Sequence, residues 1–529
     1  MPTIPPAWLI IAGAMLVPLL TGRARSWFVV FLNALAFVFI VGLEPGSSWN
    51  VAFFGFDLTL LRVDKLSKLF GYIFTLYGFA ASLYSLSLRD AKQHFAALIY
   101  IGSALGVVFA GDLVSLYFYW EVMAVASVIL ILARRSEQAL GAGYRYVLVH
   151  IFGGLCLLLG IVLFIHQTGN VEFSAFSMRN PATYLILLGV LVNAAAPPLH
   201  AWLPDAYPEA TVTGSVVLSA YTTKTAVYTL IRGFPGWEVL IVLGCLMTIY
   251  GIFYALLEND MRRILAYSII NQVGFMVTGA GIGTQMALNG AAAHAFAHII
   301  YKGLLFMSAG SVLYMTGKSK CTDLGGLYKT MPLTLIFGSV GALAISAFPL
   351  TSGFTTKSMI MLGAEHQHMF WPWLILEIAS AGVFLHAGIK FPYFVFFAKD
   401  KGLRPGETNW SMLSAMGILA FLCIFIGVYP EPLYAVLPFQ TEGYHAYTAP
   451  HLTTQMQLLM FSALVFFLFL PLLKRTETIS LDTDWFYRKG SGVVFGAADT
   501  ALNGVNAAFD SAAKGTAAIL ARMVKDIPA

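Results

Sequence analysis

Fifteen runs of apolar residues, most of them near the roughly 20 residues that one helical crossing of a bilayer takes, follow one another along this chain, and no other feature limits its fold so strongly. We read spans near 8–22, 26–43, 66–88, 93–110, 112–133, 143–166, 181–211, 214–233, 238–257, 262–281, 288–316, 331–363, 370–398, 411–429 and 454–473. Of 529 residues, 58% are hydrophobic and 11% charged, against about 25% charged in an ordinary soluble domain. A water-soluble core has no use for that much apolar surface, and the mean hydropathy of +0.77 points the same way. The expected fold class is all-α: a polytopic membrane protein of about 14–15 transmembrane helices.

Charge sorts the linkers. Arg23 and Arg25 follow the first span, Arg89 and Lys92 the third, Arg134 and Arg135 the fifth, and Arg262 and Arg263 the ninth. Lys318, Lys320 and Lys329 follow the eleventh, Lys399, Lys401 and Arg404 the thirteenth, and Lys474 and Arg475 the fifteenth. Linkers after even-numbered spans are mostly neutral, acidic or mixed, as with Glu431 and Glu442. Because positive charge is retained in cytoplasmic loops, the N-terminus is expected outside and the C-terminus in the cytoplasm of a cell inner membrane. The same distribution accounts for the net charge of +5. Nucleic acid is not an expected partner, since no basic stripe with interleaved aromatics occurs. Cys156, Cys245, Cys321 and Cys423 are too scattered for a disulfide framework, a zinc site or an iron–sulfur cluster. Met1–Leu20 lacks the basic start of a removable signal.

Two segments run longer than one crossing and carry proline at mid-depth, Ala194–Pro204 and Ala347–Phe354. Proline removes a backbone donor and clashes with the preceding turn, so each helix should split there. Broken backbone survives in a bilayer only inside protein or against a wet cavity. The breaks fall in the seventh and twelfth spans, five apart. Spans four to eight and nine to thirteen are therefore expected to form two inverted five-helix repeats, each with a broken helix, an arrangement that marks a transport path. A proline kink with no transport role is the plainer alternative for either break alone. The expected organisation is N-terminal helices over 1–92, a first repeat acting as a proton-translocation module over 93–233 and a second, inverted repeat over 238–398. C-terminal transmembrane helices over 411–473 and a cytoplasmic amphipathic tail over 474–529 follow. In that tail Val505, Phe509, Ala512, Ile519 and Met523 recur at helical spacing, as in a helix lying on a membrane or on a neighbouring subunit.

An ionisable side chain at bilayer depth costs roughly 2.5–3.5 kcal/mol on insertion scales and persists mainly where it lines a polar path. Glu121, Lys224, His294, His298, Lys302 and Lys357 all fall inside apolar runs or at their broken ends. His294, His298 and Lys302 are spaced i, i+4, i+8, which puts them on one stripe with about 6 Å between neighbours. Imidazole titrates near neutral pH, and lysine is the cation whose proton affinity responds most readily to burial. The row therefore reads as a proton relay, with Lys224 after the first break and Lys357 after the second. Packing roles are the alternative for each: a lysine that snorkels or anchors at an interface, a hydrogen-bonded core pair of histidines, a glutamate that fixes helix packing. A zinc site is disfavoured, because the relay histidines lack both the glutamate of a His-Glu-x-x-His motif and a third ligand. Neither metal nor cofactor is expected. Secondary candidates are His150 on the sixth span, His200 in the first break, and His386 and Lys390 one turn apart on the thirteenth span. Glu377 falls on roughly the opposite face from Lys390.

Six elements, in identity and order, resemble the antiporter-like subunits shared by respiratory complex I, Mrp-type sodium/proton antiporters and membrane-bound hydrogenases. They are Tyr119-Trp-Glu121, Leu199-His-Ala-Trp-Leu-Pro-Asp-Ala206, Lys224-Thr-Ala-Val-Tyr228, Asp260-Met-Arg-Arg-Ile-Leu-Ala-Tyr-Ser268, Asn271-Gln-Val-Gly274 and the stretch from Ser352-Gly-Phe354 to Lys357. The resemblance covers about residues 60–440 and is nearest to the D subunit of Mrp antiporters and its hydrogenase counterpart, on Lys357 and Gly388-Ile-Lys-Phe-Pro-Tyr393. It implies that Glu121 matches the glutamate of the family's fifth helix, Lys224 the lysine of its eighth, His294, His298 and Lys302 its central relay, and Lys357 its terminal lysine. The chain departs from the family at Asn193, where the seventh-helix lysine that pairs with the glutamate usually stands. An amide carries no proton at physiological pH, so Glu121 needs Lys224, His150 or His200 in the partner role.

The expected function is that of a proton-translocating subunit, in one version a Na+/H+ antiporting one, within a multisubunit complex. Its partners would be other membrane subunits, the lipid bilayer, protons and Na+. A second expectation is the proton-pumping membrane arm of a redox-driven, hydrogenase-like or quinone-reducing complex. Any redox centre would then sit in a partner, because Gly279-Ala-Gly-Ile-Gly283 closes an apolar span rather than following a strand and is no dinucleotide fingerprint. A third is a scaffold that kept the fold without conduction.

Overall fold

The computed structural model describes residues 4–525 except 442, 473–475 and 477–480, so the charges at Glu442, Lys474 and Arg475 lie outside the described residues. Each of the fifteen spans read from the sequence is occupied by helix. The first six are α1 (Pro6–Leu16), α2 (Gly22–Val41), α3 (Lys65–Tyr84), α4 (Ala91–Phe109), α5 (Leu113–Leu132) and α6 (Glu137–Thr168). The seventh is α7 (Pro181–Asn193) with α8 (Trp202–Ala206), and the eighth is α9 (Val212–Leu218) with α10 (Thr222–Gly233). Then come α11 (Glu238–Leu257), α12 (Met261–Ile282), α13 (Gln285–Thr316), and α14 (Pro332–Ile345) with α15 (Ser352–His366). The thirteenth span is α16 (Phe370–Val383), which runs on into π-helical turns at Phe384–Lys390 and Tyr393–Phe397. α17 (Trp410–Val428), the short α18 (Glu431–Ala435) and α19 (Ala449–Leu468) complete the bundle. Among the described residues eleven helices are long and apolar enough to cross a membrane, and Pro6–Leu19, Pro181–Asn193 and Pro332–Ile345 are shorter apolar ones. The chain is a multi-pass membrane protein.

Burial grades inward to two helices. Every residue in the most apolar stretch of α12 is buried, and α13 is nearly as enclosed, whereas α2, α6 and α19 leave most of theirs uncovered. Close backbone approach makes this centre possible. On α11, Gly244 and Gly251 pack so near α12 that an added Cβ would lie 2.5 Å from the Thr278 and Asn271 amides. Small residues at such contacts are how helices associate where lipid removes the hydrophobic drive.

A two-stranded antiparallel hairpin, β1 (Gly46–Phe53) and β2 (Phe56–Val63), sits between α2 and α3 in the register Gly46↔Val63 to Phe53↔Phe56. Span counting did not read it, because its apolar residues come in short runs cut by Gly55, Asp57 and Arg62, and only Leu58, Leu61 and Val63 are buried. The hairpin ties the linkers of one membrane face together: Gly111 donates to the Thr59 carbonyl at 2.8 Å, Arg62 donates to the Phe173 carbonyl, and Asp112 bridges to Glu172. On the other face Asp260 bridges to Lys320, and Lys329 pairs with Asp400 at 3.1 Å. Asp400 is held well below the usual carboxylate range by hydrogen bonds from Arg404, the Gly402 amide and Lys329. Residues Ile479–Ala529 form a separate unit containing one long helix, α20 (Asp484–Lys525), with i,i+4 ion pairs Asp484–Arg488 and Asp510–Lys514. Its Val505, Phe509 and Ile519 are exposed.

The two proline breaks are built alike. α7 ends at Ala194 and Ala195 turns left-handed, with φ of 58°. The Ala196 amide then bonds back to Leu191 and the Ala195 amide to Val192. α14 ends at Ser346, and Ala347 turns left-handed at φ 56°, with Phe348 bonding to Leu343 and Ala347 to Ala344. This 6→1 and 5→2 pattern is the Schellman close of a helix, normally set on glycine. Alanine in its place costs about 1–2 kcal/mol. Pro197 and Pro349 follow two residues later, where a helix cannot resume. A third break, Ser219–Tyr221 between α9 and α10, carries no proline or glycine and was not expected. Tertiary partners meet its orphan groups: Tyr77 donates to the Val216 carbonyl at 2.7 Å, and the Tyr100 hydroxyl accepts from the Thr222 amide at 3.0 Å.

Candidate functional site

Three of the buried lysines end helices. The Lys224 Nζ donates to the carbonyl of Ser219, which closes α9, at 2.7 Å. The Lys357 Nζ donates to the carbonyl of Ile345, the last residue of α14, at 3.3 Å and to Ser380 Oγ at 3.5 Å. It also stands 4.9 Å from the centre of the Phe275 ring. Lys390 gives its three N–H donors to Ala255, Leu256 and Glu258 carbonyls at 2.7–2.8 Å, at the C-terminus of α11. A helix C-terminus presents about half a negative charge, worth 0.3–1 kcal/mol to a cation and up to about 2 in buried geometry. Against roughly 2.5–3.5 kcal/mol for a charge at mid-bilayer, that offsets part of the cost and leaves the remainder. Lys224 carries that remainder with one short hydrogen bond and Lys357 with two long ones, whereas Lys390 carries it with three short ones.

Between the two broken helices runs the row on α13. Lys302 Nζ donates to Ser268 Oγ of α12 at 2.8 Å. His298 is fully buried, and neither ring nitrogen has a protein hydrogen bond. It lies edge-on to Tyr301, 5.3 Å between centres, and in the electrostatic field of Lys224, Lys302 and Lys357. His294 Nε2 is 3.0 Å from Gln272 Oε1, which also accepts from the Tyr301 hydroxyl at 3.0 Å. His294 Nδ1 is 3.3 Å from Thr356 Oγ1, the neighbour of Lys357 in sequence. Gln272 in turn donates to Asn271, and Asn271 to the Thr248 carbonyl. Polar contacts thus join α11, α12, α13 and α15 without interruption, with Lys302 toward the Lys224 end and His294 toward the Lys357 end.

The first half of the bundle is arranged differently. Glu121 is half-buried, and its Oε1 accepts no hydrogen bond and rests against Gly154, where an added Cβ would sit 2.2 Å away. Among the described residues it makes no ion pair. His150 is held by the Tyr146 carbonyl at 2.9 Å and stacks on the Tyr146 ring at 3.8 Å. His200 packs edge-on to Tyr250 at 4.3 Å. Asn193 is buried at the end of α7 with its Nδ2 unbonded, and Trp202 Nε1 satisfies the neighbouring Val192 carbonyl at 2.9 Å. Lys224, turned to Ser219, is not brought against Glu121. On the thirteenth span His386 lies in the π-helical stretch, its Nδ1 2.8 Å from the Gly382 carbonyl.

Sequence reasoning passed over Tyr301 and Ser380, uncharged groups whose polarity is unremarkable in a helix, and met Ser268 and Thr356 only inside family motifs. Gln272 was visible only as part of a family motif. Glu377, assigned by helical wheel to a face away from Lys390, lies in the field of Lys357. Among the described residues no three His, Cys, Asp or Glu side chains are grouped to hold a metal ion.

The family model for the transmembrane part of NADH:quinone oxidoreductase and Mrp antiporters matches residues 110–383. A probable K(+)/H(+) antiporter component of Rhizobium meliloti (strain 1021) is 29% identical over 467 residues, 80% of this chain and 46% of that protein. Hydrogenase-4 component B of Escherichia coli (strain K12) is 26% identical over 420 residues, 70% of this chain and 62% of its own. The chain therefore spans about half to three-fifths of the length of these curated relatives. In fold it matches a chain of the membrane-bound sulfane sulfur reductase, an archaeal respiratory membrane complex, at a TM-score of 0.80 and 24% identity, over 94% of this chain and 95% of that one.

Proposed function

The chain belongs to the NADH:quinone oxidoreductase/Mrp antiporter transmembrane family, and from that premise we propose that it is a proton-translocating subunit of a multisubunit membrane complex, exchanging protons for a monovalent cation. The observation that carries this reading is the buried basic row: Lys224, Lys302, His298, His294 and Lys357 in succession, bounded by broken helices and served by Ser268, Gln272 and Thr356. A proton taken up at Lys224 passes to Lys302, across His298 to His294, and on to Lys357. His298 suits the middle of that sequence, because its ring has no protein hydrogen bond to break when it turns. The path runs without Glu121, so the missing lysine at 193 does not stop it. Two inverted repeats are part of the proposal. Support comes from the matching Schellman closes of α7 and α14, five spans apart, and from the bridges Asp112–Glu172 and Asp260–Lys320, in corresponding linkers on opposite faces. The proposed orientation in an inner membrane, with the 318–331 and 398–409 linkers in the cytoplasm, is supported by the positive charge of those linkers.

The test is Lys302→Ala and Lys357→Ala in the native complex reconstituted into liposomes. Each should bring cation-driven acidification, read by a pH-sensitive dye, down to background. Transport at the parental rate in either variant would take that lysine off the path. The likeness to hydrogenase-4 component B favours a second reading, in which the same row is driven by a partner's redox reaction. Iron or flavin absorbance in the purified complex would select it.

A further inference from the structure

The path ends at Lys357, which is buried, and a proton there needs a way to water. A cavity of about 620 Å³ opens between α15, α16, α19 and the segment 443–448. Its wall carries Glu365, His366, Glu377, Tyr444, His445 and His451. It lies on the face opposite the basic linkers. Those linkers are joined to each other by Lys329–Asp400, and one crossing of α14 and α15 leads from them to His366.

Three contacts connect this vestibule to Lys357. Glu377 and Ser380 are three residues apart on α16 and so share a face, and Ser380 Oγ is the group Lys357 reaches at 3.5 Å. Gln455, in the vestibule wall, donates to the Ser346 carbonyl at 3.2 Å, in the same break whose Ile345 carbonyl holds Lys357. Ser358, next to Lys357, lines the vestibule and shares a 2.6 Å hydrogen bond with Tyr444.

We propose that this vestibule is the port by which the relay meets the aqueous phase on the face opposite the basic linkers, and that Glu377 is the carboxylate there that takes a proton from Lys357, leaving the neutral amine, and releases it to water when a small monovalent cation binds in its place. The proposal rests on the relay reading above. A bare packing role for Glu377 is the rival. A neutral amide of the same shape at 377 would leave packing intact and remove the cation site.

Sealed vesicles holding the complete complex decide between them. Glu377→Gln should lower cation-driven proton movement at least tenfold and Glu377→Asp should restore most of it, while Lys302→Ala stays at background. Glu377→Cys should react with a membrane-impermeant sulfonate thiol reagent from the vestibule face only, measured against the parent chain with its own four cysteines. Parental transport in Glu377→Gln with Lys302→Ala silent would overturn the port and leave the relay standing. Parental transport in Lys302→Ala would overturn the relay and the port with it. Should Glu377→Gln be poorly assembled, the thiol reaction decides: labelling from the vestibule face supports the port, and its absence overturns it.

Discussion

Lys224 and Lys357 answer mainly to single helix-end carbonyls, whereas Lys390 answers to three, and under the proposed relay that difference separates a group that passes a proton from one that holds a helix end closed. Removing Lys390 takes away the hydrogen bonds it donates to three carbonyls at the end of α11. Hydrogen bonds to a charged group contribute about 1.5–3 kcal/mol each, so Lys390→Met should destabilise the chain by about 3 kcal/mol or more. Its thermal midpoint in detergent should fall below that of Lys302→Met, with transport per folded complex retained. At this scale the sequence made the charged residues legible, because a lysine or histidine in an apolar run stands out by its cost. Ser268, Tyr301 and Thr356 did not stand out. A hydroxyl in a helix can bond its own backbone, as Thr356 does to the Ser352 carbonyl, and so costs little wherever it points. Glu377 escaped because a helical wheel compares it only with residues of its own span, such as Lys390, whereas its charged neighbour Lys357 comes from another helix.

Breaks belong to the scale of elements, and there prolines were a good guide to two of three. Pro197 and Pro349 mark where α7 and α14 cannot resume, whereas Ser219–Tyr221 is opened by tertiary partners, Tyr77 and Tyr100, that no local pattern announces. The second break is held by close approach of its own halves. A Cβ on Gly353 would lie 1.9 Å from the Ala344 carbonyl oxygen. Gly353→Ala must therefore push α15 away from α14, at a cost of about 1–3 kcal/mol by the usual penalty for overpacking. It should also abolish transport, since Lys357 would lose the Ile345 carbonyl. Normal proton movement together with an unchanged thermal midpoint would show that the break tolerates widening. The hairpin of β1 and β2 was hidden for the opposite reason: its apolar positions are too few and too interrupted to register against runs of about 20.

Across the whole molecule, two sets of linkers stand on opposite faces, one gathered by the hairpin and one by Lys329–Asp400. If the positive set is cytoplasmic, a cysteine placed at Lys401 reacts with impermeant reagent only in inverted vesicles, and one placed at Asp57 only in intact cells. The reverse pattern would invert the orientation and move the vestibule to the cytoplasm. The enclosure of α12 and α13 has a consequence for the surrounding lipid. With 32 residues, α13 is about 48 Å long at 1.5 Å per residue, well beyond the roughly 30 Å of hydrocarbon. A lipid-facing helix of that length would have to tilt, kink or thicken the membrane around it. Because α13 is sheathed by its neighbours, matching to bilayer thickness falls on outer helices of about one crossing, such as α2 and α19. The buried basic row is thereby insulated from changes in lipid chain length.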